Sequence, residues 1–116
     1  MSSFQFSIFN FQLKMISVIV TYQVKPEFVA QNQANIQVFL NDFEQLDTTK
    51  FKYTVLMKED GVSFVHYSQY ADEETQNQLL AVPSFKAFQK MRDESGLNNS
   101  HRVEVLELIG SRGKLD

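Results

Sequence analysis

The stretch FKYTVLMKEDGVSFVHYSQY, Phe51–Tyr70, decides the fold of this 116-residue chain. It consists of two runs in which apolar and polar side chains alternate, the period of a strand with one buried face. Asp60-Gly61 joins them, a dipeptide that readily adopts the positive φ of a two-residue hairpin turn. Pairing the runs across that turn sets Met57 opposite Phe64, Val55 opposite His66 and Tyr53 opposite Ser68. These residues, with Phe51, Val62 and Tyr70, make the more apolar face, which is expected to lie under helices. The other face mixes Lys52, Thr54, Lys58, Ser63 and Gln69 with Leu56, Val65 and Tyr67.

On either side of the hairpin stands a strand–helix pattern. Ile16–Val24 alternates as a strand, with Ile16, Val18, Val20, Tyr22 and Val24 on one face. Lys25-Pro26 ends it, and Pro26 suits a helix entry. From Glu27 to about Leu46, Val29, Ile36, Phe39, Leu40, Phe43 and Leu46 recur at helical spacing. After Tyr70, Asp72 is an N-cap with Glu73 and Glu74 in the first turn, where the helix dipole favours them. That second helix should break at Val82-Pro83, because a proline disfavours helical geometry in the residue before it. It should resume through Phe85, Phe88 and Met91 and stop near Gly96. Arg102–Ile109 (RVEVLELI) reads as the last strand. The order is β-α-β-β-α-β, an α+β chain. Right-handed crossovers turn it into a ferredoxin-like four-stranded antiparallel sheet with both helices on one face.

Residues 1–14, MSSFQFSIFNFQLK, lack the cationic start and unbroken apolar run of a signal peptide. Met15 directly precedes the first strong strand, so the domain is expected over residues 15–110. Residues 1–14 are then an N-terminal extension and 111–116 a polar tail. No run approaches the roughly 20 apolar residues of a membrane span. Eleven Phe and four Tyr with no Trp foretell an aromatic core, and the absence of Cys removes thiolate chemistry, disulfides and sulfur metal sites. A cytoplasmic location is expected. The net charge of −3 argues against a partner built of phosphates.

The run YSQYADEETQNQLLAVPSFKAF, Tyr67–Phe88, resembles the second half of the dimeric α/β-barrel proteins of the antibiotic-biosynthesis-monooxygenase (ABM) type. The likeness lies in the strand ending at Tyr70, the acidic turn Asp72-Glu73-Glu74, Leu80, the break at Pro83, and Phe85 with Phe88. The resemblance extends from Met15 to Ile109. It implies a homodimer closed through the sheet faces, a pocket between sheet and helices in each subunit, and oxidation of a small aromatic or quinol-type substrate without a cofactor. The chain departs from the family at the positions that carry chemistry. Leu79 stands where family oxygenases have a His or Trp. Gln89 stands where the haem-degrading branch has its iron ligand, and Ile19 or Val20 where it has an Asn. Haem degradation is therefore not expected.

His66 is the candidate catalytic residue. Two readings of it stand: a general base or hydrogen-bond donor to a phenolic substrate, since imidazole titrates near neutrality, or a core histidine bonded to a Tyr or Ser hydroxyl. Tyr22, Tyr53, Ser68, Tyr70, Leu79, Phe85 and Gln89 are the candidate substrate-binding residues. The two His lie far apart in sequence and neither has an Asp, Glu or His at ligand spacing on a shared face, so no metal is expected, and the resemblance to cofactor-free monooxygenases implies no cofactor. Non-catalytic ligand binding or a scaffold role is the alternative to an enzyme. An RNA-binding module of the same strand order is a weaker one. The run Gly61–Tyr67 matches part of its third-strand octapeptide, but Val62 replaces a stacking ring, and RNA binding would need the Phe64 face open to solvent.

Overall fold

Strand β1 (Ile16–Val24) lies at the middle of the sheet, flanked by β3 (Ser63–Tyr70) and β4 (Leu97–Leu106), with β2 (Phe51–Met57) beyond β3. This computed structural model describes residues 15–115; the extension expected over residues 1–14, and Asp116, lie outside the described residues. All neighbouring strands are antiparallel, in the order β2-β3-β1-β4. Helix α1 (Val29–Asp42) follows β1, and α2 (Glu73–Leu80) and α3 (Pro83–Met91) follow β3. The result is the ferredoxin-like arrangement, with the second helical segment divided in two. Val82 takes an extended conformation (ψ 126°) and Pro83 begins α3, so the division falls where proline demands it. The Asp72 carboxylate accepts from the Thr75 N–H at 2.8 Å and caps α2.

The hairpin register is the one the alternation predicts, with Met57 paired to Phe64, Val55 to His66 and Tyr53 to Ser68. Its turn is wider than two residues. The Lys58 N–H donates to the Ser63 carbonyl and the Gly61 N–H to the Lys58 carbonyl, so residues 59–62 form the loop. The cause is Asp60, whose carboxylate accepts from the N–H groups of Val62 and Ser63 and from the Ser63 hydroxyl. That side chain satisfies locally the donors a tighter turn would have paired across the strands. Gly61, at φ +76°, supplies the left-handed residue.

The last strand also differs from expectation, running from Leu97 to Leu106 rather than from Arg102 to Ile109. Leu97 pairs with Val24 across a bulge, and Gln23 anchors the new segment through Ser100 and Asn98. These polar contacts replace the apolar alternation that marks a strand, which is why Leu97–His101 read as a loop in the sequence.

Between sheet and helices the core is aromatic. Phe39 of α1 sits at its centre, 4.9 Å from Phe88, 5.0 Å from Phe85, 5.2 Å from Phe43 and 5.6 Å from Tyr53, centroid to centroid. Most of these contacts are edge-on or tilted, the favoured geometry for ring quadrupoles. Tyr22, Phe64 and Tyr70 close the sheet side. Phe64 is buried and stacked on Tyr22 at 5.6 Å, which removes the open stacking face an RNA-binding module requires.

Candidate functional site

His66 is near the midpoint of β3, paired directly with Val20 on β1 and Val55 on β2. The alternation that buries Phe64 and Ser68 also turns the imidazole under the helices, where it is 2% exposed. Two phenols hold it: Tyr22 Oη lies 2.7 Å from Nε2 and Tyr53 Oη 2.8 Å from Nδ1. Asn32 on α1, fully buried, donates from Nδ2 to Tyr22 Oη at 2.9 Å. Those contacts set a direction. With Tyr22 Oη accepting from Asn32, its own proton finds its acceptor at His66 Nε2. The imidazole proton then sits on Nδ1 and donates to Tyr53 Oη. This leaves the Tyr53 hydroxyl proton for a further acceptor.

Burial, reinforced by the positive charge of Arg92, lowers the His66 pKa from 6.5 to about 3. Burial also pushes the Tyr22, Tyr53 and Tyr70 phenols up. At neutral pH the chain Asn32–Tyr22–His66–Tyr53 is therefore uncharged throughout.

The Tyr53 end of that chain opens on a cavity of about 200 Å³ between the sheet and helices α2 and α3. Val18, Val20, Phe85, Phe88 and Leu80 supply its apolar wall, and His66, Ser68, Tyr70, Gln76, Gln89, Arg92 and His101 its polar groups. His101 and Val103 on the edge strand are exposed and mark the mouth. Of the residues singled out in the sequence, Tyr53, His66, Ser68, Tyr70, Phe85 and Gln89 come together here. Tyr22 stands behind His66 rather than on the wall. Leu79 is placed otherwise: it is fully buried in the core, and its neighbour Leu80 faces the cavity. A hollow of about 170 Å³ between α1 and the hairpin is lined by no titratable side chain. Among the described residues, no group of three or more His, Asp or Glu could hold a metal ion.

Two site residues escaped the sequence reading. Asn32 lies at the i+4 position between Phe28 and Ile36, on the stripe that α1 buries. Arg92 lies seven residues beyond Phe85 and four beyond Phe88, on the stripe that α3 buries, while Met91 is 41% exposed. In both cases the signal was a polar residue at a buried phase of a helix.

The sequence matches no protein-family model, and no curated protein matches it. Solved structures do match in fold. A protein of Mycobacterium tuberculosis, Rv0793, is 16% identical, with a TM-score of 0.72 over 85% of this chain and 99% of its own. An antibiotic biosynthesis monooxygenase is 13% identical, with a TM-score of 0.70 over 82% and 99%. SnoaB, a cofactor-independent oxygenase from Streptomyces nogalater, was solved as a mutant and is 14% identical, with a TM-score of 0.68 over 87% and 99%. At these identities the likeness is one of fold, and the fold is of the ABM type.

Proposed function

We propose that this chain, built on the ABM-type fold, is a cofactor-independent monooxygenase-like protein that takes a small aromatic, quinol-type molecule into the cavity beside His66. The observation that carries this reading is the cavity itself, a largely apolar space reached by one phenol of a buried Tyr–His–Tyr chain. The fold shared with a cofactor-independent oxygenase supports it. About 200 Å³ suits one or two rings, since a cavity of roughly 150 Å³ accommodates benzene.

In this reading the substrate supplies the electrons. Loss of a proton from an electron-rich ring leaves a stabilised carbanion or phenolate, and the Tyr53 hydroxyl favours that anion by donating to its oxygen. The released proton passes to solvent through the mouth, and solvent returns one when the O–O bond breaks to give water. A ring methylene, or its phenolic tautomer, becomes a carbonyl. The four electrons withdrawn reduce O₂ to that carbonyl oxygen and one water. His66, neutral and engaged on both nitrogens, holds Tyr53 in place rather than taking the proton itself. The test is oxygen uptake by the purified chain with mono- and bicyclic quinols under ¹⁸O₂. One labelled atom in the product, at a rate above autoxidation, is expected; uptake no faster than without protein would end this reading.

The complete satisfaction of His66 inside the subunit favours a second reading, ligand binding without catalysis, in which the same quinols bind without oxygen uptake. Both readings place the site in a cytoplasmic homodimer closed through the outer sheet face. Support comes from Leu56 at 57% exposure on that face, with Ile19, Val65 and Tyr67 half-buried beside it. Sedimentation should give a dimer, and Leu56→Lys a monomer; a monomeric parent protein would exclude this arrangement.

A further inference from the structure

The reaction just described leaves Arg92 without a role, yet its side chain is only 6% exposed and forms part of the cavity wall. The guanidinium carbon stands 5.1 Å from the centre of the Tyr22 ring and 5.2 Å from that of Phe88, so two aromatic rings hold it in place. Nε donates at 2.9 Å to Asp93, whose side chain is half exposed and faces solvent. Among the described residues, the two terminal nitrogens meet no acceptor. A cation so largely removed from bulk water favours an anionic partner.

No carboxylate on the wall competes for them. The lining holds no Asp or Glu, and its remaining titratable groups are two histidines and two phenols. Burial and the field of Arg92 lower both histidines from their ordinary range, His66 to about 3, so neither adds a charge near neutrality. The site therefore offers one planar cation with free parallel N–H groups, a hydroxyl donor at Tyr53, and an apolar wall of Val18, Val20, Phe85 and Phe88.

We infer that the cavity takes an aromatic carboxylate of one or two rings, its carboxylate held by the Arg92 guanidinium and its ring against the apolar wall. A planar fork matches a carboxylate in two parallel bonds, which a neutral quinol cannot offer. The volume leaves room for little beyond the ring and that group. This inference rests on the cavity being the ligand site of the proposed function, and it names the substrate class.

Binding of 2,5-dihydroxybenzoate, its neutral amide and hydroquinone to the full chain, measured by calorimetric titration, tests it. The carboxylate should bind at least about tenfold more tightly than the amide, the range of a charge-assisted hydrogen bond. In Arg92→Gln that preference should vanish while amide affinity stays within about twofold, and Arg92→Lys should keep part of it. Equal affinity for carboxylate and amide in the parent protein overturns the inference. So does binding of neither, or an unchanged preference in Arg92→Gln. Because the comparison of ligands uses the parent protein, it decides even if the variants fail to fold. Oxygen uptake, followed separately, distinguishes the two claims. Selective carboxylate binding without uptake keeps the anion site and ends the oxygenase reading. Equal oxidation of hydroquinone and the carboxylate by the parent protein and Arg92→Gln, with no carboxylate preference in binding, does the reverse.

Discussion

Replacing Tyr22 by Phe removes one oxygen atom and nothing of the ring, so it isolates the polar chain from the packing around it. The ring is 1% exposed, stacked on Phe64 and close to Phe88, and those contacts survive the change. Lost are the 2.7 Å bond to His66 Nε2 and the 2.9 Å bond from Asn32 Nδ2. Both partners are buried, and the Asn32 Oδ1 already has no partner among the described residues. A buried polar group left unpaired costs about 1–3 kcal/mol, so two together should cost roughly 2–6 kcal/mol. For a domain of this size that is a fall in Tm of about 10–30 °C. Tyr53→Phe should cost less, about 1 kcal/mol, because the His66 Nδ1 proton it abandons borders a cavity that water can enter. Urea denaturation with linear extrapolation measures both. A further test is Asn32→Leu, which should be less damaging in Tyr22→Phe than in the parent protein, since the amide has already lost its acceptor. A loss below 1 kcal/mol for Tyr22→Phe, or additive costs in that pair, would refute the idea that these four residues act as one buried chain.

Acid should weaken the fold through His66. Below pH 6.5 the unfolded chain takes up a proton that the folded one refuses until about pH 3. The stability from the neutral ring is complete above pH 6.5 and lost below it, by up to about 1.4 kcal/mol per pH unit. Denaturation at pH 7, 6 and 5 should show this slope, and His66→Gln should flatten it; a parent protein equally stable at pH 7 and 5 would contradict it. Asp72→Ala removes the α2 cap and should cost about 1 kcal/mol, read as a shift in the urea midpoint at unchanged slope. In Gly96→Ala the new methyl would stand 2.4 Å from Cδ2 of the buried Phe28 ring. That crowding should cost about 1–3 kcal/mol, most of it recovered when Phe28→Leu is combined with it; no recovery would place the strain elsewhere.

Periodicity and punctuation are local properties of a chain, and here they were enough for the architecture. The alternation of Phe51–Tyr70 sets the hairpin register and puts His66 under the helices whatever the width of the turn, because a one-residue slip would expose every core ring. Val82-Pro83 and Asp72 likewise act on their immediate neighbours, and the helices divide and begin where they dictate. Where polar side chains took over, the strand signal failed. Asp60 widened the turn, and Gln23 drew Leu97–His101 into the sheet without any apolar alternation.

The site is another matter, because its parts come from elements distant in the chain. His66 could be named from its residue type, but its role depends on Tyr22, 44 residues away, and Tyr53, 13 residues away, reaching its two nitrogens. Asn32 and Arg92 looked like ordinary polar residues of helices; only the packing of α1 and α3 on the sheet buries them against those rings. Burial is a tertiary quantity, and burial is what makes the imidazole neutral. The sequence by itself determined the order of strands and helices, the hairpin register and the face that β3 buries, since these follow from spacing along the chain. The tertiary structure alone decided that a neutral phenol–imidazole chain and a buried guanidinium border one cavity, since desolvation and hydrogen-bond distance exist only between packed elements.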